Sequence, residues 1–407
     1  MAFFVFEAAG APGLHTRAAA ALAQALNTPQ RRTARLVVPH DPAVRFDVHA
    51  LQHATADGRL VETFRLWGDR AGLAVETTEP WSGDLLALPG TAVVAVDPDL
   101  FADGRELRRP AVSTGHSWVD VAPDGRLIVD GPDAAELDVH GPIAVDPFGR
   151  AGPAVRTGGG ARPQVTIAVV GDRDRLHRVY AAVLAALGDA ADRAAVDVTV
   201  DVVSSGDVRE APADMLAQAQ GLVLPGGADL DEVPGQVAAA TAALNGGIPT
   251  LGLCLGMQSM ALAVARTRAG LPEAELEEAA PDAPIKLFER LIDPSGRPQH
   301  RMGDRTVVVR PGSRLHGILH ASGRDPSSLV ERTNHRYGLA PRYRRDLTHA
   351  GLSVTAEDAE AQVAYVLEAP TAKLFLGFQG HPELQSTPAH PHPGFVALLR
   401  TAARLPG

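Results

Sequence analysis

The residue best suited to covalent chemistry in this chain is Cys254, its one cysteine. It lies in the segment GLCLGMQ at 252–258, between an apolar run that predicts a strand (248–253) and an apolar-periodic run that predicts a helix (255–265). Such a junction is a nucleophile elbow, where glycines permit a tight turn and N–H groups at the helix start stabilise a thiolate or an oxyanion. The alternative is an inert core thiol, but the position at the elbow favours a nucleophile.

A second pair of reactive side chains belongs to His381-Pro382-Glu383. A thiolate nucleophile needs a base that takes up and delivers a proton, and that base needs a group to orient it. Both side chains follow the apolar run 374–379, so they would lie close to Cys254 if the two strands are neighbours. Taken alone, the motif is weak, because the chain has 15 histidines and most loop histidines are solvated or cap a helix.

A third feature is Leu224-Pro225-Gly226-Gly227-Ala228, a predicted strand that ends in a glycine pair. Two glycines let backbone N–H groups approach a ligand oxygen closely, as an oxyanion hole requires. In isolation the alternative, an ordinary turn, is the better interpretation.

Strands that alternate with helices position these three features. Predicted strands lie at 165–170, 196–203, 221–224 and 248–253, with a helix at 176–187. This alternation predicts parallel βαβ units in an open, doubly wound α/β sheet, which carries ligands at the carboxyl ends of its strands. Further strand-like runs lie at 305–309, 362–367 and 374–379, before a helical tail.

Composition restricts the class of protein. The 407 residues allow two or three domains, and a hydrophobic content of 45% is enough for each to bury a core. A net charge of −10 disfavours nucleic-acid binding, and no apolar run long enough to span a bilayer or to act as a signal core is present. A single cysteine excludes an internal disulfide and a cysteine-based zinc site. We therefore expect a cytoplasmic protein that binds neither nucleic acid nor membrane and holds no metal at this site.

The first 151 residues predict a separate, smaller domain. The Gly/Pro-rich stretch at 152–162 has no apolar periodicity and predicts a linker, with the larger domain at 163–407. In the N-terminal part, a strand at 3–6 and a helix at 17–26 precede short alternating runs such as 92–96 and 126–129. These features predict an α/β or β-rich fold.

Together these blocks resemble the class I (triad-type) glutamine amidotransferase domain, most closely the glutaminase domain of CTP synthase. The blocks that carry the resemblance are TIAVVG at 166–171, GLVLPGG at 221–227, IPTLGLCLGMQ at 248–258, ERTNHRY at 331–337 and GFQGHPELQSTP at 377–388. The resemblance implies that Cys254 is the nucleophile, His381 the general acid/base and Glu383 the carboxylate that orients it.

The same resemblance implies further roles. The oxyanion would be held by the N–H of Leu255 and one near Gly227, and the substrate-binding residues would be Gly226, Gln258, Glu278 and Arg336. Glu277 competes with Glu278 as the acid that recognises the α-amino group of glutamine. The alternative for Glu278 is a solvated helix face, because other glutamates surround it.

Three departures from the family pattern bear on function. The N-terminal part is too short for a full amidoligase half, and where that half has a P-loop lysine, this chain has His15, with Leu14 in place of glycine. The only lysines are Lys286 and Lys373, so a P-loop lysine cannot exist there, and Arg17 is not equivalent to one.

The other two departures lie in the larger domain. Gly380 replaces a bulky aromatic residue, and the acidic segment 228–232 replaces a glycine-rich, basic one.

Three functions are consistent with this pattern. The first is release of ammonia from L-glutamine to an unknown acceptor on the N-terminal domain or on a synthase partner, with no cofactor for the glutaminase reaction and with homo-oligomers left open. The second is a complete CTP-synthase-like amidoligase for a non-UTP acceptor, which would need ATP and Mg²⁺ at an active N-terminal domain. The third is a catalytically silent protein that binds glutamine or a partner, against which the intact triad argues.

Overall fold

The computed structural model describes residues 2–6, 13–27, 34–41, 50–78, 83–98, 100–101, 105–122, 126–132, 143–153, 162–358 and 363–405. The chain packs as two compact units. The first unit comprises Met1–His53, Val61–Gly160 and His177–Ala185, and the second comprises Ala54–Leu60, Ala161–Leu176 and Ala186–Gly407. The predicted linker at 152–162 lies largely outside the described residues, so the domain bounds stay a prediction.

The strands are, in chain order, β1 Ala2–Phe6, β2 Arg35–Pro39, β3 Leu51–Ala54, β4 Leu60–Glu62, β5 Val75–Thr78, β6 Ala92–Val96, β7 Ser117–Val121, β8 Leu127–Asp130, β9 Ile143–Val145, β10 Ala151–Pro153, β11 Gln164–Val170, β12 Asp197–Val203, β13 Gly221–Leu224, β14 Thr250–Leu253, β15 Ala274–Leu276, β16 Ile285–Arg290, β17 Arg301–Val309, β18 Ser328–His335, β19 Tyr337–Leu339, β20 Ser353–Glu357, β21 Ala364–Glu368 and β22 Phe375–Phe378.

The helices are α1 Leu14–Leu26, α2 Arg65–Ala71, α3 Arg105–Ser113, α4 Arg173–Arg178, α5 Ala181–Ala194, α6 Ser205–Glu210, α7 Pro212–Met215, α8 Val233–Gly246, α9 Leu255–Thr267, α10 Arg314–Ala321, α11 Arg344–His349 and α12 Pro393–Ala402. The one helix predicted at 176–187 is wrong in its bounds, because α4 and α5 are separate helices there. The break at 179–180 contains neither proline nor glycine, so apolar periodicity gave no sign of it.

The larger unit contains a sheet with the strand order β12-β11-β13-β14-β22-β21-β20-β17-β18 among the described residues. From β12 to β22 all neighbours are parallel, and from β22 to β18 all are antiparallel. The predicted doubly wound α/β fold is confirmed, and the antiparallel strands extend it on one side.

The strands β13, β14 and β22, which precede the predicted site residues, are neighbours in the sheet and end at the same level. β13 pairs with β14, and β14 pairs with β22, so that Leu224 lies opposite Gly252 and Leu253 opposite Phe378. All three strands are completely buried, as strands covered on both faces must be. Their carboxyl ends therefore lie at one edge of the sheet, where open α/β sheets hold ligands.

The core of the larger unit is built around α9, in which every residue from Leu255 to Ala265 is buried. This helix packs on α8 and on the strands β14 and β22. A helix buried all round needs small side chains at its contacts, and here Ala261, Ala263 and Ala265 supply them.

The N-terminal unit is an α/β fold as well. Its sheet has the order β5-β2-β6-β1-β7-β8, and all pairs except β7 with β8 are parallel. Phe4 and Trp118 stack in its core with ring centroids 6.5 Å apart. No helix in the described parts of either unit is long and apolar enough to cross a membrane.

Candidate active site

Cys254 forms a strained elbow between β14 and α9. Its backbone has φ 47° and ψ −105°, a conformation that costs a non-glycine residue about 1–3 kcal/mol and concentrates at functional sites. The Cys254 N–H donates to the carbonyl of Phe378, at 2.7 Å, which ties the elbow to the end of β22. The residue is 8% exposed. A thiol with only a packing role does not require such a strained backbone, so the conformation of Cys254 argues against the alternative of an inert core thiol.

The glycines on either side of the elbow serve close packing. A Cβ on Gly256 would lie 2.0 Å from the carbonyl oxygen of Leu224, and one on Gly252 would lie 2.3 Å from Sδ of Met260. The positive φ of the turn is carried by Cys254 itself. The glycines therefore bring the start of α9 against β13 and β14, rather than making the turn as the sequence suggests.

His381 and Glu383 form the second part of the site. Nδ1 of His381 lies 2.7 Å from Oε1 of Glu383, and the two side chains are 14% and 6% exposed. The backbone N–H of His381 donates to the carbonyl of Arg332, at 2.7 Å. This contact holds the segment after β22 against β18.

The charges around His381 favour its protonated form. Burial acts against the imidazolium, but the Glu383 carboxylate and the Cys254 sulfur, which is near enough to hydrogen-bond the ring, outweigh it and hold the pKa of His381 well above its usual value. A thiol and an imidazole in this relationship can share a proton as a thiolate–imidazolium pair.

Gly226 lies close to both Cys254 and His381. A Cβ there would be 3.0 Å from Cε1 of His381 and 3.1 Å from Cβ of Cys254. Three strand ends thus converge on one point, with Gly226 from β13, Cys254 from β14 and His381 from β22. The predicted oxyanion donors, Leu255 and Gly227, lie next to these residues in the chain, one opening α9 and the other following Gly226.

A buried polar network that sequence reasoning missed fixes the glycine pair. Gln236 of α8 donates from Nε2 to the carbonyl of Pro225 at 3.0 Å, and Ser259 of α9 donates from Oγ to Oε1 of Gln236 at 2.9 Å. Both side chains are buried. A serine and a glutamine on two predicted helices carry no sequence signal of this role, because their contact depends on how the helices pack.

Gln258, predicted to contact the substrate, is 4% exposed and donates to Oε1 of Gln379 at 3.4 Å. Gln379 is fully buried, and its Nε2 lies 3.8 Å from Sγ of Cys254. Gln258 and Gln379 therefore connect α9 to the sulfur of Cys254. Gln379 was not among the predicted site residues, although it lies only two residues before His381.

Glu278 and Arg336 are neighbours, since the charge of Arg336 acts on the Glu278 carboxyl. Burial raises the pKa of Glu278, while Arg336 and Arg290 oppose that rise. The predicted alternative of a helical face is wrong, because β15 and a turn occupy 274–279. Glu277 is engaged elsewhere: it accepts the N–H of Arg290 at 2.6 Å and pairs with Lys286 at 3.4 Å.

The two local departures from the family pattern have structural explanations. In the segment 228–232, Asp229 caps the turn Leu230–Glu232 and pairs with Arg175. Gly380 has no room for a side chain, because a Cβ there would lie 2.1 Å from Oε2 of Glu331. The aromatic residue that the family usually carries would not fit beside this carboxyl.

The P-loop-like segment of the N-terminal unit has β1 and α1 where the sequence predicts a strand and a helix, but residues 7–12 lie outside the described part of the chain. His15 and Arg17 are 1% and 5% exposed. The Arg17 guanidinium donates to the carbonyl of Gly13 at 3.1 Å and lies 6.0 Å from the Trp67 ring centre. Arg17 is thus engaged within its own unit.

No group of three or more histidine, cysteine, aspartate or glutamate side chains could hold a metal ion within the parts of the chain that the structure describes. A thiol, an imidazole, a carboxylate and backbone N–H groups lie at the same sheet edge. Groups of these types can support covalent chemistry at a carbonyl carbon.

The doubly wound sheet and the strand–helix elbow at Cys254 are features of one protein family, and a comparison of the chain with known families identifies the same family. The family described as "Glutamine amidotransferase class-I" matches residues 179–401, which is more than half of the chain. The chain belongs to the class I glutamine amidotransferases.

Individual relatives point to one branch of that family. A CTP synthase of Chloroflexus aggregans is 33% identical over 246 residues, which are 59% of this chain and 44% of the relative. A CTP synthase of Roseiflexus castenholzii is 34% identical over 248 residues, with the same two shares. Among solved structures, the glutaminase domain of Trypanosoma brucei CTPS with bound acivicin is similar at 27% identity and a TM-score of 0.55, covering 60% of this chain and 95% of that one. The chain spans under half the length of these curated relatives.

Proposed function

We propose that this protein hydrolyses L-glutamine to glutamate and ammonia, and that the ammonia is used to aminate an acceptor. The observation that carries the proposal is the convergence of Cys254, His381 and Gly226 from three adjacent strand ends, with Glu383 on the imidazole. Membership of the class I glutamine amidotransferases supports glutamine as the substrate.

In the proposed reaction, the Cys254 thiolate attacks the side-chain amide carbon of glutamine and forms a C–S bond. The carbonyl oxygen becomes an oxyanion, which backbone N–H groups of Leu255 and the Gly226–Gly227 turn stabilise. His381 donates its proton to the amide nitrogen as the C–N bond breaks, and ammonia leaves. Water then attacks the γ-glutamyl thioester, His381 takes a proton from it, and the C–S bond breaks to release glutamate.

Substrate recognition is assigned to Glu278 and Arg336 in this proposal. A free amino acid presents one cation and one anion at its α-carbon, and the adjacent carboxylate and guanidinium could bind them as complementary charges. Glu278 forms no hydrogen bond or ion pair with the rest of the described chain, whereas Glu277 forms both. Glu278, the acid beside Arg336, is therefore the glutamate that is available to bind a ligand.

The proposal is tested by incubating the full chain with L-glutamine and measuring glutamate and ammonia in equal amounts. A glutamine-mimicking diazo-ketone should add once to wild type, as seen by intact mass, and not at all to Cys254→Ala. Because Cys254 is the only cysteine, adduct formation on another residue would contradict the site. Absence of glutamate, with and without nucleotides and candidate partners, would contradict the function.

A second candidate is a complete ATP-dependent amidoligase for an acceptor other than UTP. The N-terminal unit favours it, because its parallel sheet begins with a strand followed by a helix, as nucleotide-binding units do. ATP and Mg²⁺ would be needed only for this activity. The test is an acceptor-dependent conversion of ATP to ADP together with a nucleotide-induced rise in melting temperature, and the absence of both would remove this candidate.

A further inference from the structure

Gln379 is a buried carboxamide beside the thiol of Cys254 that the proposed reaction does not use. It directly follows β22, is 0% exposed, and donates from Nε2 to Sγ of Cys254 at 3.8 Å. A buried amide is costly unless its polar atoms are paired, and a hydrogen bond is stronger when one of its partners carries a charge. The sulfur is a suitable partner for this amide when it is negatively charged.

The backbone around Gln379 holds its side chain at the elbow. The Gln379 N–H donates to the carbonyl of Tyr365 on β21 at 2.8 Å, and the carbonyl of the preceding residue accepts the N–H of Cys254 at 2.7 Å. β22 also lies close to α9, because a Cβ on Gly377 would be only 2.5 Å from Cγ of Met257. The position of Gln379 relative to the thiol is therefore fixed from both sides of β22 and from the helix above it.

Gln258 determines which end of the Gln379 carboxamide faces the sulfur. Its Nε2 donates to Oε1 of Gln379 at 3.4 Å, so the NH₂ group of Gln379 is the end directed at Cys254. The backbone N–H of Gln258 donates to the carbonyl of Cys254 at 3.2 Å, which places the two residues one helical turn apart. The first turn of α9 thus carries the residue that orients the donor.

A donor on the sulfur affects the two halves of the proposed reaction differently. Before attack, a hydrogen bond to the charged form favours the thiolate over the thiol. The negative charge leaves the sulfur as the C–S bond forms, and the electron pair of that bond returns to the sulfur when the thioester is hydrolysed. Stabilising a thiolate makes it somewhat less nucleophilic and a better leaving group. The donor should therefore assist hydrolysis of the thioester more than its formation.

We propose that Gln379 is a catalytic residue that donates a hydrogen bond to the Cys254 thiolate and stabilises it as the leaving group of the thioester. Gln258 is then a positioning residue for this donor, in addition to the substrate contact predicted for it. The inference deepens the proposed glutaminase function and rests on it for the thioester step. The hydrogen bond to the thiolate can be measured without glutamine.

The hydrogen bond is tested by the rate at which iodoacetamide alkylates Cys254 in the full chain, followed by intact mass at a series of pH values. Gln379→Met keeps a similar volume but removes the donor, so alkylation should be about three- to tenfold slower on the acidic side of the profile and no slower on its alkaline plateau. Gln258→Met should displace the profile in the same direction by a smaller amount. The double variant should match Gln379→Met, because Gln258 acts through Gln379.

Glu368→Gln is the control for a changed buried polar side chain. Glu368 is buried on β21, accepts the N–H groups of Arg314 and Leu315, and lies beside the start of β22, away from Gln379. This variant should keep the wild-type profile. A Gln379→Met profile that superimposes on that of wild type, or that is lowered by one factor at every pH, would overturn the proposal. If Gln379→Met does not fold, an unchanged profile in Gln258→Met would overturn it instead.

The leaving-group role is tested with glutamine. Gln379→Met should hydrolyse the thioester more slowly, so that a γ-glutamyl adduct on Cys254 accumulates at steady state in quenched samples and kcat and KM fall together. A fall in kcat without this adduct would refute the leaving-group role. A wild-type protein that makes no glutamate, while Gln379→Met still displaces the alkylation profile, would refute the proposed function and leave the hydrogen bond standing.

Discussion

Nδ1 of His381 lies 2.7 Å from Oε1 of Glu383, across a single proline. Pro382 opens the short 3-10 helix Pro382–Gln385, and its fixed φ narrows the conformations that the segment can take. The imidazole of His381 and the carboxylate of Glu383 are therefore held together locally. Only their approach to Cys254 depends on the wider fold.

Glu383→Gln should lower the pKa of His381 towards its usual value, because the variant removes the main charge that raises it. An NMR titration of the imidazole measures this shift, and kcat for glutamine hydrolysis should fall about 10²–10⁴-fold. Glu368→Gln should leave both unchanged. An unshifted imidazole titration in Glu383→Gln would contradict the electrostatic role of Glu383.

The same raised pKa predicts how stability depends on pH. Because His381 binds its proton more tightly in the folded chain, its contribution is complete below the unfolded-state pKa, about 6.5, and is lost as pH rises through the higher folded-state value. The difference in unfolding free energy between wild type and His381→Asn, from urea denaturation, should therefore shrink as pH increases. A difference that grows with pH would contradict the sign of the shift.

Gly226→Ala should impair catalysis more than folding. The added Cβ would lie 3.0 Å from the imidazole and 3.1 Å from Cβ of Cys254, so these groups must each move away from it by a few tenths of an ångström. We expect kcat to fall about tenfold or more, since small displacements of reacting groups are costly, with little change in melting temperature. The control is Gly246→Ala at the exposed end of α8, where the nearest side-chain atom is 3.8 Å away and activity should be retained.

Gly256→Ala should impair folding. Its Cβ would meet the Leu224 carbonyl at 2.0 Å, and backbone cannot move aside as a side chain can, so we expect a loss of about 1–3 kcal/mol in unfolding free energy. Gly317→Ala, in the exposed middle of α10 with no atom within 4 Å of the new Cβ, should instead stabilise by about 0.5–1 kcal/mol. Equal melting temperatures for the two variants would show that α9 does not need its close approach to β13.

Glu278→Gln should weaken glutamine binding. Loss of a charged partner for the α-amino group removes about 1.5–3 kcal/mol, which corresponds to a rise in KM of about 10-fold or more with a smaller change in kcat. Glu277→Gln is the matched control, because that neighbour is occupied by Arg290 and Lys286. If Glu277→Gln raised KM and Glu278→Gln did not, the assignment of the two glutamates would be reversed.

Local pattern predicted much of the fold. Apolar runs gave β11 to β14 and α9 within two residues of their observed ends, because strands buried on both faces leave a continuous apolar signature. The pattern did not indicate that β17, β18, β20 and β21 would extend the same sheet antiparallel to it. Half-exposed strands such as β17 show only short alternating patterns in the sequence. Which strands they pair with depends on contacts between residues that are far apart in the chain.

The sequence by itself determined which reactive groups exist and where each leaves its strand: one thiol at an elbow, and an imidazole and a carboxylate two residues apart. Tertiary structure alone decided that β13, β14 and β22 are adjacent, that Gln236, Ser259 and Gln379 support the site, and that Glu331 fills the gap at Gly380. The physical reason is the distance along the chain over which the determining interactions act. Backbone conformation and apolar periodicity are properties of neighbouring residues, whereas burial and the charge it permits depend on segments that meet only when the chain is packed.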